Sequence, residues 1–203
     1  MRVNRGGSSL SLRVDLVGGG RAAFKPDQTN LQTIPRREVA AFRINRLLGL
    51  TGVPPAIARS FGFQDLVDNL QPSDRALAPR MAAEIRKSEG GRVAGELSWW
   101  IPTIVDATLG GYKIDSMEGV VTWKRLLRVG AKYREEDEQL LARISSMVAF
   151  DFLINNTDRW SGANCKGSPD GRYLYYMDNT LAFGAEPEGH PKVKTYLTRV
   201  QVF

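Results

Sequence analysis

The stretch from Ala149 to Gly184 constrains this chain most. An apolar run at helical spacing stops at the polar quartet Asn156-Thr157-Asp158-Arg159. After a Pro169-Asp170-Gly171 turn, Tyr173 to Met177 reads as a short buried strand, and it ends in Asp178. The same stretch places two carboxylates, Asp158 and Asp178, where elements end and loops begin. Loops held by a rigid scaffold are where chemistry is usually carried.

At 203 residues the chain suits one domain, or two small lobes. A hydrophobic content of 42% is ordinary for a globular core. The net charge of +6 favours an anionic partner such as a nucleotide. That charge is spread along the chain with no long Lys/Arg block, so a solvated basic surface is favoured over a nucleic-acid site. Cys165 is the sole cysteine, which excludes an intrachain disulfide and fits a reducing compartment or a bacterial source. No apolar run is long enough to span a membrane, and MRVNRGGSSLSLRVDL lacks the apolar core of a signal peptide. A cytoplasmic or exported bacterial protein is therefore expected. The single His190, in EPEGHPK, leaves no histidine pair for a metal centre and reads as a surface-loop residue.

Leu10–Pro26 reads as a hairpin turning at Gly18-Gly19-Gly20. Thr33–Leu48 reads as a helix with Pro35 in its first turn, Gly49 as its stop, and Ala40, Ile44, Leu47 and Leu48 at helical spacing. TGVPPAIARSFGF reads as an extended segment. Residues 65–98 are mixed and polar, with one helix around Pro79–Lys87 broken at Gly90-Gly91. Leu97–Val105 reads as a strand or a connection. Met117–Val129 reads as a short helix carrying Trp123, Leu126 and Leu127. Glu135–Ile154 is a helix with an acidic start, and Leu140, Ile144, Met147 and Val148 line one face.

Five positions and one glycine run carry candidate chemistry. Lys25 closes the second hairpin strand, and Glu38 lies early in the next helix. Each alone fits a surface residue. Together they match a strand lysine that contacts phosphates with a helix carboxylate nearby. Gly18, Gly19 and Gly20 fit either a plain tight hairpin or a turn whose amides approach a phosphate. They lack the lysine-serine ending of a P-loop. Asp158 is either a helix-end turn residue or the base that orients an attacking hydroxyl. Asp178 is either a strand-ending turn residue or a ligand of the magnesium that bridges nucleotide phosphates. Asn164, six residues after Asp158, is a candidate second ligand, at a spacing that departs from the usual kinase loop.

Four ordered segments, GRAAFKP, REVAAFRINRLLGLTGVPPAIAR, FDFLINNTDR and MDNTLAFG, resemble the atypical secretory-pathway kinase family that includes the Golgi casein kinase, the glycan-xylose kinase and Four-jointed. The resemblance runs from about Gly20 to Gly184 and is poor in the middle third. The DNTLAF segment also resembles type II phosphatidylinositol 4-kinases, and the loop layout is similar to HipA-like serine kinases. The resemblance implies an α+β, kinase-like two-lobed fold, with residues 1–100 as N-lobe and 101–203 as a reduced or truncated C-lobe. It implies ATP with Mg2+ or Mn2+, Lys25 on the phosphates, Glu38 as its partner, Asp158 as acid-base residue and Asp178 as metal ligand. The implied acceptor is a hydroxyl, foremost protein Ser/Thr. A glycan or lipid kinase and a nucleotide-binding pseudokinase scaffold are the alternatives.

Overall fold

Alternation in LRVD and RAAFKP puts Leu12 and Phe24 on one side of a hairpin and Lys25 on the other. The computed structural model describes residues 1–4, 9–160, 164–185 and 188–198, the last two without side chains. These residues form two compact units, 1–42 with 54–100, and 43–53 with 101–203.

The first unit holds β1 (Arg2–Val3), β2 (Leu12–Asp15), β3 (Arg21–Pro26), most of α1 (Pro35–Leu47), β4 (Ala56–Gly62), α2 (Phe63–Asp68), a 3-10 turn, α3 (Ala78–Glu84) and β5 (Arg92–Trp99). The strands form one antiparallel sheet in the order β1-β2-β3-β5-β4. One face is covered by a cluster that includes Leu12, Phe24, Leu66, Met81, Ile85 and Val93. Gln28 joins its edge by accepting from the Leu10 amide and donating to the Leu10 carbonyl.

Two expectations are corrected here. The segment Leu97–Val105, expected as a strand or a connection, holds only the end of a strand that runs Arg92–Trp99, followed by a connection to a short strand that begins at Val105. Polar residues and Gly95 hide the longer strand, yet Gly95 is there for packing. A Cβ at that position would lie 2.8 Å from the Phe24 ring. The buried side of α1 is also mixed rather than the apolar stripe of Ala40, Ile44, Leu47 and Leu48. Leu47 and Leu48 are exposed, whereas Glu38, Val39, Ala41 and Asn45 are buried. Gly49 does end the helix, with φ at 71° and its amide bonded to the Arg46 carbonyl.

The second unit contains β6 (Val105–Asp106), β7 (Thr108–Leu109), β8 (Tyr112–Lys113), α4 (Met117–Leu126), α5 (Glu138–Leu153), β9 (Cys165–Gly167), β10 (Leu174–Tyr176) and α6 (Pro191–Thr198). β9 sits between β10 and β6 in a three-stranded sheet. Ser116 caps α4 by accepting from the Gly119 amide, and buried Trp123 donates Nε1–H to the Ile114 carbonyl. In α5 the core residue is Leu141 rather than Leu140. It is joined by Ile144, Met147, Val148 and Phe150. α6 packs on α5 and buries Val193.

Asp106 bridges β8 and β9 by accepting from Lys113 Nζ at 2.6 Å and Lys166 Nζ at 2.5 Å. These bonds hold its carboxyl down to about 2, Lys113 contributing most. A depressed carboxylate contributes stability in full above the ordinary carboxylate range and loses it as pH falls toward its folded value. Carboxyl NMR titration should place Asp106 near 2 in the folded chain. A normal value would show that the bridge does not form.

The loop after α1 packs on β10. The Gly52 carbonyl accepts from the Tyr176 amide at 2.8 Å, and a Cβ at Gly52 would lie 2.5 Å from the Tyr176 ring. Gly52→Ala should cost about 1–3 kcal/mol through overpacking, read by urea denaturation. An unchanged midpoint would refute this contact.

Candidate functional site

The second unit gathers Asp158, Asn164 and Asp178 on one buried framework. α5 ends at Leu153, and the chain turns through Asn155, which has φ at 50°. The Asn156 side chain then accepts from the Asp158 amide at 3.0 Å and donates to Asn179 Oδ1 at 3.1 Å. A side-chain-to-amide bond two residues on closes an Asx turn that runs from Asn156 to Asp158.

Arg159 is fully buried and binds everything around it. Its Nε and Nη2 donate to the Asp151 carboxylate at 3.0–3.2 Å. Nη1 donates to the carbonyls of Asn164 and Met177, and Nη2 also donates to Asn179 Oδ1. Its Cζ lies 5.7 Å from the Tyr176 ring centre. Burial pushes the Asp151 carboxyl upward, against the pull of the Arg159 guanidinium. Cys165 packs alongside, its thiol within 3.4 Å of the Arg159 carbonyl and pushed up to about 12 by burial. It is a core residue rather than a nucleophile.

Asn164 donates through Nδ2 to the Asp158 carbonyl and to Asp158 Oδ2, at 3.0 and 3.1 Å. Its own carbonyl accepts from the Met177 amide. Asp178 follows directly, with φ at 51°, and accepts from Thr180 Oγ1 at 2.7 Å. Among the described residues, the non-glycine positions with positive φ are Asn155, Asp178 and Phe183, all in the two loops of this site. Such conformations cost energy and gather where geometry serves function.

α6 closes over the first loop. Lys192 Nζ donates to the Thr157 carbonyl at 2.6 Å, and the His190 amide donates to Asn155 Oδ1. Trp160 lies between Trp123 and Tyr196, at 4.9 and 5.2 Å between ring centres. His190 is thus half-buried, and its Nδ1 accepts from the Lys192 amide.

The remaining sequence candidates lie in the first unit. Lys25 is half-buried on β3, and Glu38 is buried in the first turn of α1. Gly18 and Gly19, with φ at 96° and 92°, form the hairpin turn, and the Gly19 amide donates to the Leu16 carbonyl. A Cβ at Gly20 would meet the Trp99 ring at 3.2 Å. One residue went unread in the sequence: Glu96 is buried and directly opposite Lys25 in register, so both side chains share a sheet face. Asp151 was the other. Its signal was an acid inside the apolar helix run AFDFL.

The donors suit a hard cation, since Asp178 and Asn164 offer carboxylate and amide oxygens. Among the described residues no three His, Cys, Asp or Glu converge on one point.

No protein-family model matches the sequence, and no curated protein matches it by sequence. The structure does have relatives. The Golgi casein kinase with Mn/ADP bound superposes with a TM-score of 0.67 at 14% identity, covering 98% of this chain and 57% of that one. Another Golgi casein kinase structure gives 0.66 at 14%, covering 98% and 56%. The structure of hydra Fam20 with sugar gives 0.65 at 16%, covering 98% and 66%. The fold is therefore α+β and kinase-like. More narrowly, it is the fold of the atypical secretory kinases to which these neighbours belong. The chain spans between about half and two thirds of their length.

Removing the Arg159 charge while Asp151 stays buried should cost about 3–5 kcal/mol. Arg159→Met alone should therefore destabilise more than Asp151→Leu/Arg159→Met, and the loss in the double variant should fall well short of the sum of the two single losses. Chemical denaturation of the four proteins measures this coupling, and additive losses would show that the pair is not a unit.

Proposed function

We propose that this chain is an ATP-dependent phosphotransferase that moves the γ-phosphoryl group to a hydroxyl, foremost Ser or Thr of a protein. The observation that carries this is the locking of Asp158 to Asn164, and of Asn164 and Arg159 to the residue before Asp178, in a chain with the Fam20 kinase fold. Base and cation ligand need a fixed separation, because phosphoryl transfer depends on positioning more than on covalent help from the protein.

In this reading, residues 1–100 act as the N-lobe and 101–203 belong to the C-lobe. Lys25 contacts the nucleotide phosphates, and Glu38 orients it. The Gly18–Gly20 turn lies beside those phosphates. Asp178 and Asn164 hold Mg2+ or Mn2+, which when bound supplies charge neutralisation on the phosphate oxygens. The acceptor oxygen bonds to the γ-phosphorus as the bond to the ADP oxygen breaks, and Asp158 takes the hydroxyl proton. Asn164, donating to Asp158 Oδ2, sets the direction of that carboxylate. The Golgi casein kinase structure with Mn/ADP supports the nucleotide and cation.

Labelled-ATP transfer with Mg2+ or Mn2+, offered protein, glycan and lipid acceptors in parallel, tests the reading. Asp158→Asn should keep nucleotide binding and lower turnover roughly 10^2- to 10^4-fold. Asp178→Ala should weaken cation-dependent ATP binding by roughly tenfold or more. Full turnover by Asp158→Asn would remove it as the base. ATP binding without transfer to any acceptor would make the chain a pseudokinase.

A further inference from the structure

An open cavity lies within the second unit, formed by residues the phosphotransferase reading does not use. Its volume is about 640 Å3, within the range of small-ligand sites. One wall is α4, which contributes Thr122 and Arg125. Another is the Gly110-Gly111 turn between β7 and β8, both glycines at positive φ. The Cβ that Gly110 lacks would touch Thr122 Cγ2 at 3.6 Å, so turn and helix lie in close contact. The third wall is the loop that carries Lys132 and Tyr133.

The charges of the lining divide into two sets. Arg134 is bound by its own acids, with Nε and Nη2 on Asp137 at 2.8 and 3.0 Å and Nη1 on Glu136 at 2.6 Å. That fork also holds the Asp137 carboxylate. Arg125 and Lys132 make no ion pair among the described residues. The cavity thus presents two uncompensated cations on separate elements, next to a half-exposed tyrosine ring, while the Thr122 hydroxyl is taken up by the Glu118 carbonyl at 2.7 Å. A carboxylate would satisfy one of them. A phosphomonoester, near two negative charges at neutral pH and with three acceptor oxygens, satisfies both.

We infer that this cavity binds a phosphomonoester group, clamped between Arg125 of α4 and Lys132 of the following loop. The group reaches it either as a phosphorylated side chain or as free phosphate. The site is separate from Asp158 and Asp178, and the inference does not depend on the phosphotransferase reading.

The test is a titration of the 15N-labelled full chain with O-phosphoserine, serine, inorganic phosphate and a short phosphoserine peptide, at about 50 mM salt to limit screening. Phosphoserine should shift the amides of Gly110, Gly111 and Thr122 saturably, and serine should not. Arg125→Gln/Lys132→Gln should weaken that binding by at least roughly tenfold, as two charge-assisted contacts are lost, with an unchanged melting temperature because both side chains are exposed. The same variant should leave ATP binding as it was. A peptide that binds more tightly than inorganic phosphate assigns the site to phosphorylated protein, and equal affinities assign it to free phosphate. Absence of shifts at these amides, equal shifts with serine, or undiminished binding by the double variant would each overturn the inference.

Discussion

Everything around the candidate site depends on one buried cation. A guanidinium with no solvent access is tolerable only if its donors are satisfied, because desolvating a charge costs several kcal/mol. Arg159 meets this demand with Asp151 from α5, the carbonyls of Asn164 and Met177, and Asn179 from the loop after β10. Those partners come from three separate stretches of chain. The guanidinium is planar, so its fork fixes directions as well as distances. Such a centre adds little net stability against an apolar core of equal volume. What it secures is one arrangement of the two loops that carry Asp158 and Asp178.

The same preference for position over local comfort recurs elsewhere. Asn155, Asp178 and Phe183 hold left-handed backbone at the edges of those loops. Helix α1 buries Glu38 and Asn45 while Leu47 and Leu48 face water. Asn45 then accepts from the Val53 amide and so shapes the loop whose Gly52 packs on Tyr176. Each feature runs against simple propensity or hydrophobic sorting. Such conflicts are expected where a fold serves a site rather than only its own stability.

At 14–16% identity to Fam20 structures, this chain keeps the fold while most side chains differ. The segments that resemble the family in sequence, GRAAFKP, REVAAF, FDFLINNTDR and MDNTLAFG, fall on β3, α1, the end of α5 with its loop, and the loop after β10. The poorly matched middle third includes α2 and α3, whose Leu66 and Met81 join the cluster that covers one face of the first sheet. A packed face tolerates many apolar combinations of similar volume. A loop that must present a carboxylate in one direction tolerates few.

The sequence alone determined the local elements with strong periodicity or punctuation. These are the glycine-turned hairpin, the proline-started α1, the α4 and α5 helices, and the strand ending at Asp178. It also marked Lys25, Glu38, Asp158, Asn164 and Asp178, because polar residues at element ends stand out against apolar runs. It misplaced β5, since a strand with Gly95 and Glu96 inside it lacks alternation. It chose Leu140 over Leu141 and the wrong face of α1, since one-residue offsets are invisible until a partner surface exists. Only the tertiary structure decided that Arg159 is interior, that Asp151 is its counter-ion, that Glu96 faces Lys25 and that Asn164 holds Asp158. Those facts are pairings between segments far apart in the chain. Their energy comes from burial and geometry that no local window of sequence contains.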